Sequence, residues 1–279
     1  MTKFDHVMSV HNSFEPVSSN YRTLGFHVTD LSHHPMGTGN RLIVFQNNFI
    51  EILAISRPDE IDPSTKTMVE GFLSNRSGIS GIAMLSSSQQ DDLARLEAQN
   101  APALLPNSFQ RPITLPDGSL GEADVDIVMS LNQETPLTFL FFSHQKKPEM
   151  LWQPAWQEHP NGASDIVEVI SVQDESLRPF DGYFQSVLGT VPDEDSTYPL
   201  EAGGTLSTLG KGQLEDRYQW AEIKAERHAA YTAGLVVRCS HLDVVRAAIS
   251  SHNIPSVEGD NGIVIKPEWL DGVFLHFVL

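Results

Sequence analysis

Short apolar runs alternate along the chain with polar stretches of helical character, and the order of the two recurs. Residues 4–10, Phe-Asp-His-Val-Met-Ser-Val, read as a buried strand, and His11-Asn12-Ser13 behind it is a helix-start signal. A short helix over 15–24 is then stopped by Gly25, a residue type that ends helices. Strands are expected at 26–28, 41–45 and 49–55, the last two joined by a Gln46-Asn47-Asn48 hairpin. Asp62-Pro63 opens a connecting helix through residue 74, with Asp as its cap and Pro at its first position. The same grammar returns as a strand at 81–86, a helix at 89–99 and strands at 109–115, 123–131 and 137–143. A connection over 148–160, bearing Trp152 and Trp156, precedes a third start: strand 166–172, helix 177–188 ending at Gly189, strands 205–209 and 218–224. A fourth follows, with strand 234–239, helix 242–251 and strands 262–265 and 273–279.

The units also resemble one another in sequence. Val7-Met8-Ser9-Val10 matches Val169-Ile170-Ser171-Val172, and Leu24-Gly25 matches Leu188-Gly189, which sets His6 opposite Glu168. Residues 81–102 align without a gap with 234–255, pairing Gly81 with Gly234, Asn100 with Asn253 and Pro102 with Pro255. A repeat of this length points to a duplicated supersecondary unit. The expected fold is α+β, four βαβββ modules in two tandem pairs, the first over 1–150 and the second over 160–279. In that register the chemistry-bearing positions are His6 and Glu51 in unit one, Glu168 and Glu222 in unit three, and His276 in unit four. Unit two carries Ile82 and Phe141 there.

Composition narrows the function classes. The 279 residues carry a formal charge of −18 with only 18 Lys and Arg, a field that repels nucleic acid and anionic membranes. With 40% hydrophobic and 19% charged residues the chain is globular in type. It has no apolar run of the roughly 18 residues needed to span a bilayer, and no basic-then-apolar leader is seen at the start. A cytoplasmic location is therefore expected. Cys239 is the single cysteine, so any metal has to be held by His and carboxylates. Gly37-Thr38-Gly39 lacks the spacing and the following Lys of a phosphate loop, and there is no Gly-x-Ser-x-Gly.

Three stretches carry a family resemblance: Phe4-Asp5-His6-Val7; His34-Pro35-Met36-Gly37-Thr38-Gly39-Asn40-Arg41-Leu42 leading to Phe49-Ile50-Glu51-Ile52-Leu53; and His159-Pro160-Asn161-Gly162-Ala163. With the closing Gly272-Val273-Phe274-Leu275-His276-Phe277, they resemble the vicinal oxygen chelate superfamily of glyoxalases, bleomycin-resistance proteins and extradiol dioxygenases, in its glyoxalase-like branch. The resemblance implies curled half-barrel sheets with helices outside, and a divalent metal (Zn, Fe, Mn or Ni) held by His6, Glu51 and His276. Glu168 is implied as fourth ligand or general base, and His34, Asn40, His159 and Asn161 as substrate contacts. His276 stands where that superfamily usually has an acid, and Glu168 where His or Gln is common.

The implied activity is that of a metal-dependent lyase, isomerase or dioxygenase acting on a small oxygen-rich molecule. The alternative is a metal-free protein that binds or sequesters a small molecule. Each residue also has a plainer reading: His6 and Glu51 as a hydrogen-bonded pair, Glu168 as a solvated strand residue, His159-Pro160-Asn161-Gly162 as a turn, and His34 and Asn40 as part of a surface loop. The partners expected are a small-molecule substrate and a second copy of the chain in a homodimer, with neither nucleic acid nor membrane.

Overall fold

Local sequence accounts for most of the element boundaries. The computed structural model describes residues 2–218 and 230–279. The first module runs β1 (Phe4–Val10), α1 (Phe14–Thr23), β2 (Ser32–His33), β3 (Thr38–Val44) and β4 (Phe49–Ile55). Helix α2 (Pro63–Leu73) connects it to the second, and Asp62 caps α2 by accepting from Thr65 N at 2.9 Å. The second module is β5 (Gly78–Leu85), α3 (Gln89–Ala98), β6 (Leu104–Thr114), β7 (Leu120–Ser130) and β8 (Phe139–Gln145). The third comprises β9 (Ala163–Gln173), α4 (Pro179–Leu188), β10 (Thr197–Pro199) and β11 (Thr205–Gly210), followed by helix α5 (Lys211–Tyr218). The fourth comprises β12 (Ala230–Cys239), α6 (Asp243–His252), β13 (Ser256–Gly259), β14 (Gly262–Ile265) and β15 (Phe274–Val278).

The modules pair into two curled sheets. One has the order β2-β3-β4-β1-β5-β8-β7-β6 and the other β10-β11-β9-β12-β15-β14-β13. In each module the first strand lies parallel to the last, and the two modules of a sheet join through antiparallel first strands, β1 with β5 and β9 with β12. The first sheet comes close to closing on itself. Ser32 on β2 donates to Pro112 O on β6 at 3.0 Å and accepts from Arg111 Nη1 at 2.5 Å.

Two expectations fail at the level of elements. Residues 26–28 form no strand because their backbone closes α1 instead: Phe26 N donates to Tyr21 O, and Gly25, at φ +86°, donates to Arg22 O. The strand expected over 218–224 begins as the end of α5. Leu214 and Tyr218 share one buried face of that helix, and Lys211 stands 3.6 Å from Glu215, spacings that favour a helix. Glu222 lies outside the described residues.

The largest core lies between the convex backs of the two sheets. Val7, Ile50 and Ile82 from the first sheet meet Val169, Leu235 and Phe277 from the second, with Tyr21 of α1 and Phe180 and Phe184 of α4 filling in. Each sheet therefore turns its concave face outward, away from this shared core.

Candidate functional site

On the first sheet, β1 and β4 run parallel with His6 opposite Phe49 and Met8 opposite Glu51. Side chains alternate along a strand, so these four share the concave face. Asn40 joins them from β3, two positions before Leu42, which is opposite Glu51. His34 arrives from the turn between β2 and β3. That turn needs Gly37: its φ is +92°, and a Cβ there would lie 2.4 Å from Ile61 Cα.

These residues form one buried polar cluster. Asn40 Nδ2 donates to Glu51 Oε1 at 2.7 Å and lies 3.2 Å from His34 Nε2. An amide nitrogen only donates, so His34 Nε2 is the acceptor and the ring proton sits on Nδ1, shared with Thr38 Oγ1 at 2.9 Å. Burial holds the His34 imidazole down to about 4, against the pull of Glu51, so it is neutral at physiological pH. His6 stacks on Phe49 with ring centroids 4.1 Å apart and donates from Nδ1 to Asp5 Oδ2 at 2.8 Å. Asp5 reaches its own neighbour because the pairing of β1 with β5 slips between Phe4 and His6, a bulge that re-aims the side chain. His6 Nε2 stands 3.7 Å from Glu51 Oε2, beyond hydrogen-bond reach. Asn40 Oδ1 is buried with no partner among the described residues.

The cluster sits in the wall of a cavity of about 530 Å³ enclosed by the first sheet. Its lining is mostly apolar, with Met8, Phe49, Phe109, Met129, Phe139 and Phe141 prominent. Val69 and Phe72 of α2 pack with Val10 and Leu53 on one side, and Leu151 and Trp156 pack with Phe49 and Ile113 on another. Arg111 also lines the cavity and is buried, bonded through Nη1 to Ser32.

A divalent metal would have to be held here by His6, Glu51 and His34. In favour, His6 has the carboxylate partner on its far nitrogen that metal-bound imidazoles have. Against, the Asn40 amide nitrogen already bridges Glu51 Oε1 and His34 Nε2, where a cation would have to draw the two together. Among the described residues no group of three or more His, Cys, Asp or Glu side chains is disposed to hold a metal ion. The cluster as it stands does not fit a metal centre.

The remaining expected residues lie elsewhere. His276, on β15, faces the concave side of the second sheet. Its Nε2 bonds Asn261 O at 3.0 Å, its Nδ1 has no partner among the described residues, and its ring meets Tyr218 edge-on at 5.5 Å. Glu168 shares that face and is gripped by Arg217, whose Nη1 and Nη2 donate to its two oxygens at 2.7 and 2.5 Å, with Ser207 Oγ at 2.6 Å. A carboxylate held this way is a structural anchor rather than a free base. His159 and Asn161 lie against the first module's outer side. His159 is wedged between Phe26 and Phe45, accepts from His27 N at 3.0 Å and donates to Val44 O at 3.0 Å. Asn161 donates to Leu24 O and accepts from Ala163 N, each at 3.0 Å. Both tie the connection between the sheet pairs to the end of α1.

One further arrangement has the form of a hydrolase triad. Ser9 Oγ lies 2.8 Å from His11 Nε2, and His11 Nδ1 lies 2.9 Å from Asp271 Oδ2, which holds that carboxyl below its ordinary range. Ser9 is completely buried and lines neither cavity of the first sheet, so no substrate carbonyl reaches it. The relay instead ties β1 to the loop before β15.

Sequence reasoning missed Asp5, Arg111 and the phenylalanine wall. The alternation Phe109, Arg111, Ile113 along β6 was a visible signal that an arginine shares a face with apolar residues.

Comparison with known proteins agrees with this geometry. A structure of a hypothetical protein from Staphylococcus aureus is similar over 99% of this chain and 98% of its own, with a TM-score of 0.66 and 12% identity. A xylose isomerase-like TIM barrel/4-hydroxyphenylpyruvate dioxygenase fusion protein matches 99% of this chain and 49% of its own, at TM-score 0.57 and 10% identity. A mutant of 4-hydroxymandelate synthase from Streptomyces coelicolor matches 99% of this chain and 92% of its own, at TM-score 0.55 and 9% identity. Among curated proteins no sequence matches significantly. The family model described as a glyoxalase-like domain matches residues 4–183. With its paired modules and curled sheets, the chain belongs to the glyoxalase-like domain family.

Proposed function

We propose that the first half-barrel binds a small, largely apolar molecule with a carbonyl at one end, and that Glu51 moves a proton beside that carbonyl. The chain then works as an isomerase or lyase of the glyoxalase-like kind. The observation that supports this is Glu51 Oε2. It is the carboxylate oxygen without Asn40's hydrogen bond, it belongs to a buried residue in the wall of a mostly apolar cavity, and it stands 3.7 Å from His6 Nε2, so that a ligand atom lying beside the two can touch both. A general base acts when it is placed within reach of the proton it takes. In the step, the carbon–hydrogen pair of electrons moves into the carbon–carbon bond as the carbonyl electrons shift to oxygen. Glu51 Oε2 holds the proton and returns it to the same carbon or to a neighbouring atom. Asn40 fixes the carboxylate, and Phe49 and Phe141 flank His6, at 4.1 and 5.2 Å between ring centroids, so that water is kept from the reacting end.

Hydrogen exchange tests this directly. Phenylacetone, a neutral aromatic ketone, is incubated with the protein in deuterated buffer and its benzylic protons are followed by NMR. Exchange is expected above the buffer blank, and Glu51→Gln is expected to lose about 10²–10⁴-fold of it, the usual worth of a positioned base. Exchange no faster than the blank across aromatic ketones and aldehydes that bind would sink the catalytic reading and leave a metal-free binding protein. Elemental analysis beside His6→Ala completes the test, with no stoichiometric divalent metal expected in either form.

A further inference from the structure

We propose that the molecule taken by the first half-barrel is an organic monocarboxylate with a flat apolar body, its carboxylate received by Arg111. This rests on reading that cavity as a small-molecule site and adds the class of molecule to it. Arg111 is buried, at 6% exposure, between Phe109 and Ile113 on the concave face of β6. Arg111 lines both the main cavity and a smaller one of about 160 Å³ beside the seam where β2 meets β6. Nη1 is spent on Ser32 Oγ at 2.5 Å, and among the described residues the guanidinium makes no other hydrogen bond and no ion pair.

Two other arginines show what a satisfied one looks like. Arg76 donates to three backbone carbonyls, of Ser77, Thr232 and Gly272. Arg217 closes a two-pronged pair on Glu168. A guanidinium presents five N–H groups in a fork that matches a carboxylate, and burying it without an anion is costly. Glu51 lines the same cavity and attracts Arg111 from beyond ion-pairing distance, while one of its oxygens is occupied by Asn40. The aromatic wall of Phe49, Phe109, Phe139 and Phe141 suits a flat body that extends away from that charge.

The experiment uses the full chain and two probes of one shape, cinnamate and its neutral amide, with dissociation constants from calorimetry at low salt. Wild-type protein is expected to bind cinnamate about tenfold or more tightly than cinnamamide, the worth of a charged hydrogen-bonded pair. Arg111→Gln is expected to bring the two within about twofold by weakening cinnamate alone, and Arg111→Lys to keep part of the difference. Equal binding of both probes by the wild type, or equal weakening of both by Arg111→Gln, overturns the inference while the cavity reading stands. Failure of both probes to bind overturns the two together. Should Arg111→Gln not fold, the wild-type ratio and its decline with salt decide the question alone.

Discussion

The two half-barrels share a strand plan and differ in what fills them. In each, titratable side chains reach the concave face: His6 and Glu51 from the parallel pair β1 and β4 in the first, Glu168 on β9 and His276 on β15, either side of β12, in the second. The first face lines a cavity. The second is filled by α5, whose Leu214 and Tyr218 pack on Ile170, Val264 and Phe274 while Arg217 seals Glu168. A curved sheet with the right residues becomes a site only where no element of the same chain occupies the hollow, and eight residues of helix are enough to make the difference.

The sharpest way to break this comparison is to cut the same kind of atom from each hollow. Tyr218→Ala should cost about 3–5 kcal/mol, as large aromatic truncations in packed cores do. Phe141→Ala, at the wall of an existing cavity, should cost about half as much, since there is less packing to lose. Urea midpoints for the two variants measure it, and equal losses would mean that the first hollow is packed as tightly as the second.

Acid should bite next, through the first module. Burial pushes both His34 and His159 down to about 4, against an ordinary value near 6.5. The unfolded chain therefore binds protons in that window that the folded chain does not, so stability is full above pH 6.5 and falls as pH drops toward 4. Each histidine adds a slope of at most about 1.4 kcal/mol per pH unit. His159→Asn should flatten the profile by one proton in melts taken at intervals across that range, and an unchanged slope would show that His159 is protonated in the folded state.

The smallest effect concerns the second hollow. Arg217→Gln leaves Glu168 with Ser207 as its remaining side-chain donor among the described residues. Because Arg217 is itself 39% exposed, the loss should be about 1–2 kcal/mol rather than the full cost of stripping a buried pair. Glu168→Gln in the same chain should restore part of it. A double variant no more stable than Arg217→Gln would mean that the pair is screened by solvent and holds nothing in place.

Much of the fold was legible because it is written in short-range signals. The Asp62-Pro63 cap, the 46–48 hairpin and Gly189 at the end of α4 each act within a few residues. His6 and Glu51 were legible as a pair because alternation and a parallel first-to-last register put both on one face. What the sequence could not reveal depends on distance in the chain. His276 and Glu168 match the chemistry of the first site, but their strands hydrogen-bond into the other sheet. His159 and Asn161 carry polar atoms that the backbone of α1 and β3 claims first. Asp5 reaches His6 only through a bulge, and Arg111 faces the cavity only because the first sheet curls until β6 meets β2.

The largest core belongs to both sheets at once, so each half-barrel is the other's shield from water. A chain cut in the connection after β8 would leave Ile50, Ile52, Ile82 and Leu140 of one piece facing solvent, and Val169, Leu235 and Leu275 of the other. The halves are therefore thermodynamically linked. A ligand held in the first hollow lowers the free energy of the whole folded chain by mass action, and so guards the second half-barrel against global unfolding without touching it.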